Sequence, residues 1–215
     1  MAIYLIRHGE TASNRERIVQ FPDTPLSQRG IAQARRLAER LADAGITRIV
    51  CSDMDRARMT AEPLAEATGV GLELDADLRE RFFGDHCGTP YSELMDRGLD
   101  IFAPDHDPPG GESWQVFHDR VERAWQTAGR LSAEASGHLA VVTHGLVCHS
   151  ITARLVEPPE AVAPGSYGRD GPPLRFGNTS VSILEGGAQM RFALYACTAH
   201  LDGAVADDGT ALSGM

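Results

Sequence analysis

Leu5-Ile6-Arg7-His8-Gly9-Glu10-Thr11 is the stretch on which the reading of this chain turns. It closes a short apolar run, Ala2 to Ile6, whose β-branched and aromatic members read as a buried strand. The run stops abruptly at a cation, an imidazole and a glycine. Ligands of open α/β sheets bind outside the carboxyl ends of the strands, so polar chemistry at that point has functional meaning. Arg7 can fork onto an oxyanion. His8 can serve as nucleophile or base, and Gly9 lets the backbone come close to a ligand. A charged turn after a strand is the competing reading, and Arg-His-Gly alone does not separate the two.

The same pattern recurs twice. Arg48-Ile49-Val50-Cys51-Ser52 reads as a second strand, and Asp53 to Thr60 leads from it into a helix ending near Thr68, with Arg56 at the strand's mouth. His138 to Thr143 reads as a third strand. It ends in Thr143-His144-Gly145 and is followed by a helix from Leu146 to Val156. A helix opening behind His-Gly also offers backbone N–H groups to an anion. The competing readings are a surface ion pair for Arg56 and a satisfied core histidine for His144. His149 lies five residues beyond His144, about 500° of helical rotation and so roughly 140° away, which rules out a metal pair on one helix face.

Between these strands the chain alternates helical and extended periodicity, the pattern of an α/β fold. Asp23 to Ser27 is a turn. Ile31, Ala34, Leu37, Ala38 and Leu41 then recur at helical spacing, with Ser27 as N-cap and Gly45 as stop. Val70 to Leu74 is a short strand. Thr89 to Pro109 is lid-like, with a short amphipathic helix from Tyr91 to Gly98 and an acidic, proline-rich tail. Ser113 caps a long helix to about Ala135 whose apolar face carries Trp114, Phe117, Val121, Ala124, Trp125 and Leu131. Asn178 to Leu184 and Met190 to Ala196 alternate like a hairpin around Gly186-Gly187. The expected organisation is one domain over residues 1–200, with a lid-like insertion at about 82–112 and a flexible tail over 201–215.

Composition narrows the function. The chain has 215 residues, 42% hydrophobic and 23% charged, the balance of an ordinary globular protein. Its net charge of -10 argues against nucleic-acid and membrane-surface partners, both polyanionic. All 20 basic residues are arginine. There is thus no lysine for a Walker A loop, a Schiff base or a pyridoxal attachment. Cys51, Cys87, Cys148 and Cys197 form no Cys-x-x-Cys pair and read as free thiols in a reducing compartment. No apolar run is long enough to span a bilayer, and a signal peptide has no room ahead of residue 7. Cytoplasmic localisation is the expectation.

Five blocks in order resemble the histidine phosphatase superfamily, also called the phosphoglycerate mutase-like family, over roughly residues 2 to 200. They are Arg7-His8-Gly9, Pro25-Leu26-Ser27 to Ala34, Ser52-Asp53 to Thr60, Leu78-Arg79-Glu80 to Gly84 and Thr143-His144-Gly145. Gly110-Gly111-Glu112-Ser113 is similar to a further family turn. The resemblance implies a three-layer α/β/α sandwich with a mostly parallel sheet and a phosphohistidine mechanism. In it His8 is the nucleophile. Arg7, Arg56 and His144 grip the phosphoryl group, Asn14, Thr11 and Gly145 help to bind it, and Glu80 is the proton donor, with Glu112 second. It implies no metal and no cofactor.

Where many relatives have an aromatic and an acid, this chain has Gly84-Asp85-His86-Cys87-Gly88, so its pocket differs from theirs. The implied activity is hydrolysis of small phosphorylated metabolites. Phosphoglycerate mutase, sugar-bisphosphate phosphatase, phosphohistidine protein phosphatase and a non-catalytic phosphate-binding module are the alternatives. The expected partner is a small phosphomonoester. The Glu157–Arg175 loop, with Tyr167, Arg169 and Arg175 as rim residues, reads as either a cover for the site or a subunit contact, which keeps a homodimer open.

Overall fold

The computed structural model describes residues 1–157, 176–187 and 190–201. The Tyr167, Arg169 and Arg175 rim positions and the 202–215 tail lie outside the described residues. Six strands form one sheet: β1 (Ile3–Arg7), β2 (Ile46–Cys51), β3 (Leu72–Leu74), β4 (His138–Thr143), β5 (Val181–Glu185) and β6 (Arg191–Cys197). Their spatial order is β3-β2-β4-β1-β5-β6. The first four are mutually parallel, and β5 and β6 close one side antiparallel.

Each central strand is buried on both faces, which is why these segments read as continuous apolar runs. Ile6, Ile49, Ala140 and Val142 face one way, onto Leu37, Ala38 and Leu41 of α2 (Gln28–Leu41) and Ala57, Ala61 and Leu64 of α3 (Asp55–Thr68). Leu5, Leu139 and Val141 face the other way. They meet Phe117, Val121 and Ala124 of α5 (Trp114–Glu134) and Val147 and Ile151 of α6 (Gly145–Arg154). The result is the expected α/β/α sandwich. The short helices α1 (Ala12–Glu16) and α4 (Tyr91–Asp96) bring Asn14 and Tyr91 to a cavity shared with Arg7 at the end of β1. Among the described residues no helix is long and apolar enough to cross a membrane.

Ser27 and Ser113 cap α2 and α5 as the sequence implies, accepting from the N–H of Gly30 and Val116. The hairpin needs a correction. Asn178 to Ser180 are not strand: they form a turn in which Thr179 has φ +54°, and β5 starts only at Val181. The alternation of small polar residues resembles a strand pattern, but Asn178 is drawn out of the ladder to bond the carbonyl of His8.

The Pro25–Ala34 block has a specific structural task. Ser27 donates from its hydroxyl to Glu10 at 2.7 Å, Ser27 N–H bonds the Glu10 carbonyl at 2.8 Å, and Gln33 accepts from Glu10 N–H at 2.9 Å. Gly9 and Gly30 lie backbone to backbone: a Cβ on Gly30 would stand 2.0 Å from the Glu10 carbonyl oxygen. Gly30→Ala therefore displaces the loop carrying His8. It should cost about 1–3 kcal/mol, the usual range for overpacking, and lower kcat as well; a denaturation midpoint and turnover equal to wild type would refute this contact.

Candidate active site

The carboxyl ends of β1, β2 and β4 converge, as expected for a ligand crevice in an α/β sheet. Arg7 is the last residue of β1, Ser52 follows β2, and His144 is the N-cap of α6 after β4. His8 is 2% exposed. Its backbone N–H bonds Thr143 O at 2.8 Å, and its carbonyl accepts from Thr179 N–H and from the Asn178 side chain. The imidazole is thus mounted on a loop fixed at both ends.

The ring's own bond sets its tautomer. His8 Nδ1 lies 2.7 Å from the Gly9 carbonyl oxygen, which can only accept. Nδ1 therefore carries the hydrogen, and in the neutral ring Nε2 carries the lone pair. The His8 pKa is held well below the usual histidine value, first by burial and then by the charges of Arg56 and Arg7. The ring is neutral at pH 7, as a nitrogen nucleophile must be.

Arg7 and Arg56 are both 2% exposed. Arg7 donates to the Phe176 carbonyl. Arg56, in the first turn of α3, donates to Phe21 O at 3.1 Å and Pro22 O at 3.2 Å, while its buried Nε has no hydrogen-bond partner. Burial lowers its pKa to about 10, which leaves it charged near neutrality. His144 is fully buried with its ring centroid 5.2 Å from that of His8. Its Nε2 pairs with the Ser52 hydroxyl at 2.8 Å, and its Nδ1 is buried without a partner. Two buried donor-capable nitrogens held beside His8 suit an oxyanion.

Glu80 sits across the same cavity as Arg7, His8, Asn14, Arg56 and Gly145. Its carboxyl accepts from Arg81 N–H at 3.0 Å and from Leu146 N–H at 3.1 Å. Its pKa is raised: enclosure outweighs those two backbone bonds and the charges of Arg56 and Arg120. Glu112, the second acid candidate, is not in the cavity. Arg120 holds it bidentately at 2.6 and 2.7 Å, and the same guanidinium bonds the Glu80 carbonyl at 3.0 Å. Glu112 thus supports Glu80 from behind.

Asn14 lines the cavity, with its amide oxygen accepting from Thr11 N–H and, at 3.4 Å, from the Asn178 side chain. Thr11 is not brought to the cavity. Its hydroxyl is spent in a capping box with Asn14 and on Gln20, because it begins α1. Ser52, Asn178 and Tyr91 are members that the sequence reading did not single out. Tyr91 lines the cavity from α4, and burial raises its pKa to about 12. Its position in an amphipathic lid helix gave no signal. A Ser directly after a buried strand, as at Ser52, was the one readable clue. Among the described residues no group of three or more His, Cys, Asp or Glu side chains is arranged to hold a metal ion.

Comparison with known proteins identifies the family. The profile of the histidine phosphatase superfamily, branch 1, matches residues 3–194. A probable phosphoglycerate mutase GpmB from Citrobacter koseri is 37% identical over 163 residues, 73% of this chain and 75% of that one. The mycobacterial glucosyl-3-phosphoglycerate phosphatase has TM-score 0.75 and 27% identity, covering 90% of this chain and 98% of that one. The alpha-ribazole phosphatase from Shigella flexneri has TM-score 0.75 and 28% identity, covering 92% and 97%. The chain is an enzyme of the histidine phosphatase superfamily, branch 1.

Proposed function

We propose that the protein is a metal-independent phosphomonoesterase acting on small phosphorylated metabolites through a phosphohistidine on His8. The observation that carries this reading is the tautomer-fixed imidazole: Nδ1 is tied to Gly9 O, and the ring stands between the buried charges of Arg7 and Arg56.

In the first step His8 Nε2 attacks phosphorus and the bond to the ester oxygen breaks. Arg7, Arg56, His144 and Asn14 hold the phosphoryl oxygens, supplying positive charge and donors without a metal. The protonated Glu80 gives its proton to the departing alcohol. In the second step water attacks the phosphohistidine and Glu80 takes the water's proton, which regenerates neutral His8 and releases phosphate.

The named relatives span mutase and phosphatase, and the short, acidic, lysine-free segment after Glu80 favours transfer to water over transfer to a second hydroxyl. Phosphate release from para-nitrophenyl phosphate and a metabolite panel, with EDTA present, tests the reading. Release from several monoesters is expected. No release, together with conversion of 3-phosphoglycerate to 2-phosphoglycerate, would replace it with the mutase.

The proton inventory also predicts a pH profile. His8 must be neutral and its folded pKa is lowered, so the acid limb of kcat/KM falls well below pH 6.5. Glu80 must be protonated and its folded pKa is raised, so the alkaline limb falls above pH 4.5. Glu80→Gln should erase the alkaline limb on ethyl phosphate, whose leaving group needs the proton, compared with wild type on the same substrate. An unchanged limb would assign it to another group.

A further inference from the structure

The floor and the mouth of the cavity differ in chemistry. Arg7 and Arg56 serve the floor. The third arginine that lines the cavity, Arg81, is already spent. Its Nε donates to Glu112 O at 3.0 Å, Nη1 to Ile101 O at 3.1 Å and Nη2 to His106 O at 2.6 Å. Its guanidinium also lies 3.8 Å from the Trp114 ring centroid and 5.2 Å from that of Phe83, and the residue is 2% exposed. All three nitrogens hold lid carbonyls, so releasing one would strand a buried acceptor.

Besides the charged residues and His8, the lining consists of the apolar or aromatic Pro22, Met54, Phe82, Phe83, Tyr91 and Leu146, with Asn14, Gln20 and Gly145. Phe82 is 40% exposed, and Phe21, whose carbonyl Arg56 holds beside Pro22, is 52% exposed. Rings exposed at a cavity rim are within reach of the apolar part of a bound ligand. Over the rest of the lid the charge is negative: Glu93, Asp96, Asp100, Asp105 and Asp107 stand against Arg97 alone, which pairs with Glu93. Among the described residues, the lid thus meets a carboxylate or second phosphate on the leaving group with acid and hydrocarbon and offers it no unpaired cation.

We propose that this site selects monoesters whose alcohol carries an apolar or aromatic group and no second anion. The proposal rests on the phosphomonoesterase reading and names the substrate class within it. The apolar collar of Phe82, Phe83, Met54 and Leu146 takes the alcohol's body while Arg7 and Arg56 take the phosphoryl group.

The test uses three substrates that all release primary alcohols, so leaving-group acidity is similar: 2-phenylethyl phosphate, ethyl phosphate and 3-phosphoglycerate. Burial of one ring in such a collar is worth on the order of tenfold or more. The expected order of kcat/KM is 2-phenylethyl phosphate above ethyl phosphate by at least about tenfold, with 3-phosphoglycerate lowest. Phe82→Ala, at a half-exposed position, should pull the first ratio toward unity, mainly through KM. Calorimetric binding of the same three compounds to His8→Ala reads the collar without turnover. Turnover without the preference in either measurement would overturn the proposal and leave the hydrolase reading standing. Preferential binding of the phenylethyl ester with no turnover by wild type would support the collar and overturn the hydrolase reading. Equal or tighter binding of 3-phosphoglycerate would overturn the proposal outright.

Discussion

Alanine at position 8 should remove turnover, by roughly a thousandfold or more, and leave the fold in place. The loss is large because a nucleophile that forms a covalent intermediate has no substitute in the site. His144 is the nearest imidazole, but its Nε2 is committed to Ser52. The fold survives because the loop is held by the backbone of residue 8, not by its ring. The N–H still bonds Thr143, and the carbonyl still accepts from Thr179 and Asn178. Removing a buried imidazole that sits between two guanidinium groups also takes away no favourable charge pair. The measurement pairs steady-state phosphate release with intact mass of enzyme quenched during turnover. A phosphoenzyme in wild type and none in His8→Ala is the expected result; activity within about tenfold of wild type would overturn the mechanism.

The second large effect depends on the substrate. Glu80→Gln should slow alkyl phosphates by about 10²–10⁴-fold, the usual worth of a general acid. Para-nitrophenyl phosphate should suffer far less, since its phenolate departs without a proton. Glutamine fills the same space, but it presents one carbonyl oxygen to the two N–H groups of Arg81 and Leu146 that now share a carboxylate. One of them loses its acceptor, a cost of about 1–3 kcal/mol in stability, so activities should be compared well below the melting temperature. Equal slowing of both substrates would remove Glu80 from the acid's role. Glu112 would not inherit it, because Arg120 holds both of its oxygens away from the cavity.

The parts of this site that were legible in the sequence are those whose position is set locally. Arg7, His8, Arg56 and His144 each stand within a few residues of a strand's carboxyl end, and an apolar run that stops at a polar residue announces that end. The cap residues Ser27 and Ser113 were legible for the same reason. Asn178 was not, because the bond that removes it from its strand reaches a carbonyl at the far end of the sequence. Nothing in the sequence sets Arg81 and Arg120 apart, since composition cannot show that lid carbonyls and Glu112 will surround them. Thr11 misled in the opposite direction: next to Arg-His-Gly it resembles a ligand residue, yet its hydroxyl serves the first turn of α1. Side chains that solvate backbone at long range leave no periodicity to detect.

The bond from the Asn178 amide to the carbonyl of His8 closes a loop of 170 residues. Gly9 is tied in turn to Thr60, and Glu80 to Leu146, so the catalytic geometry is assembled from chain segments that meet only when the whole sheet has formed. Closing such distant segments is the slow part of folding, whereas α2, α3 and α5 can gain helical order from local contacts. A chain that has recovered its helices is therefore not yet an enzyme: competence arrives with the last strand pairing, and a nascent or partly refolded chain is catalytically silent until then.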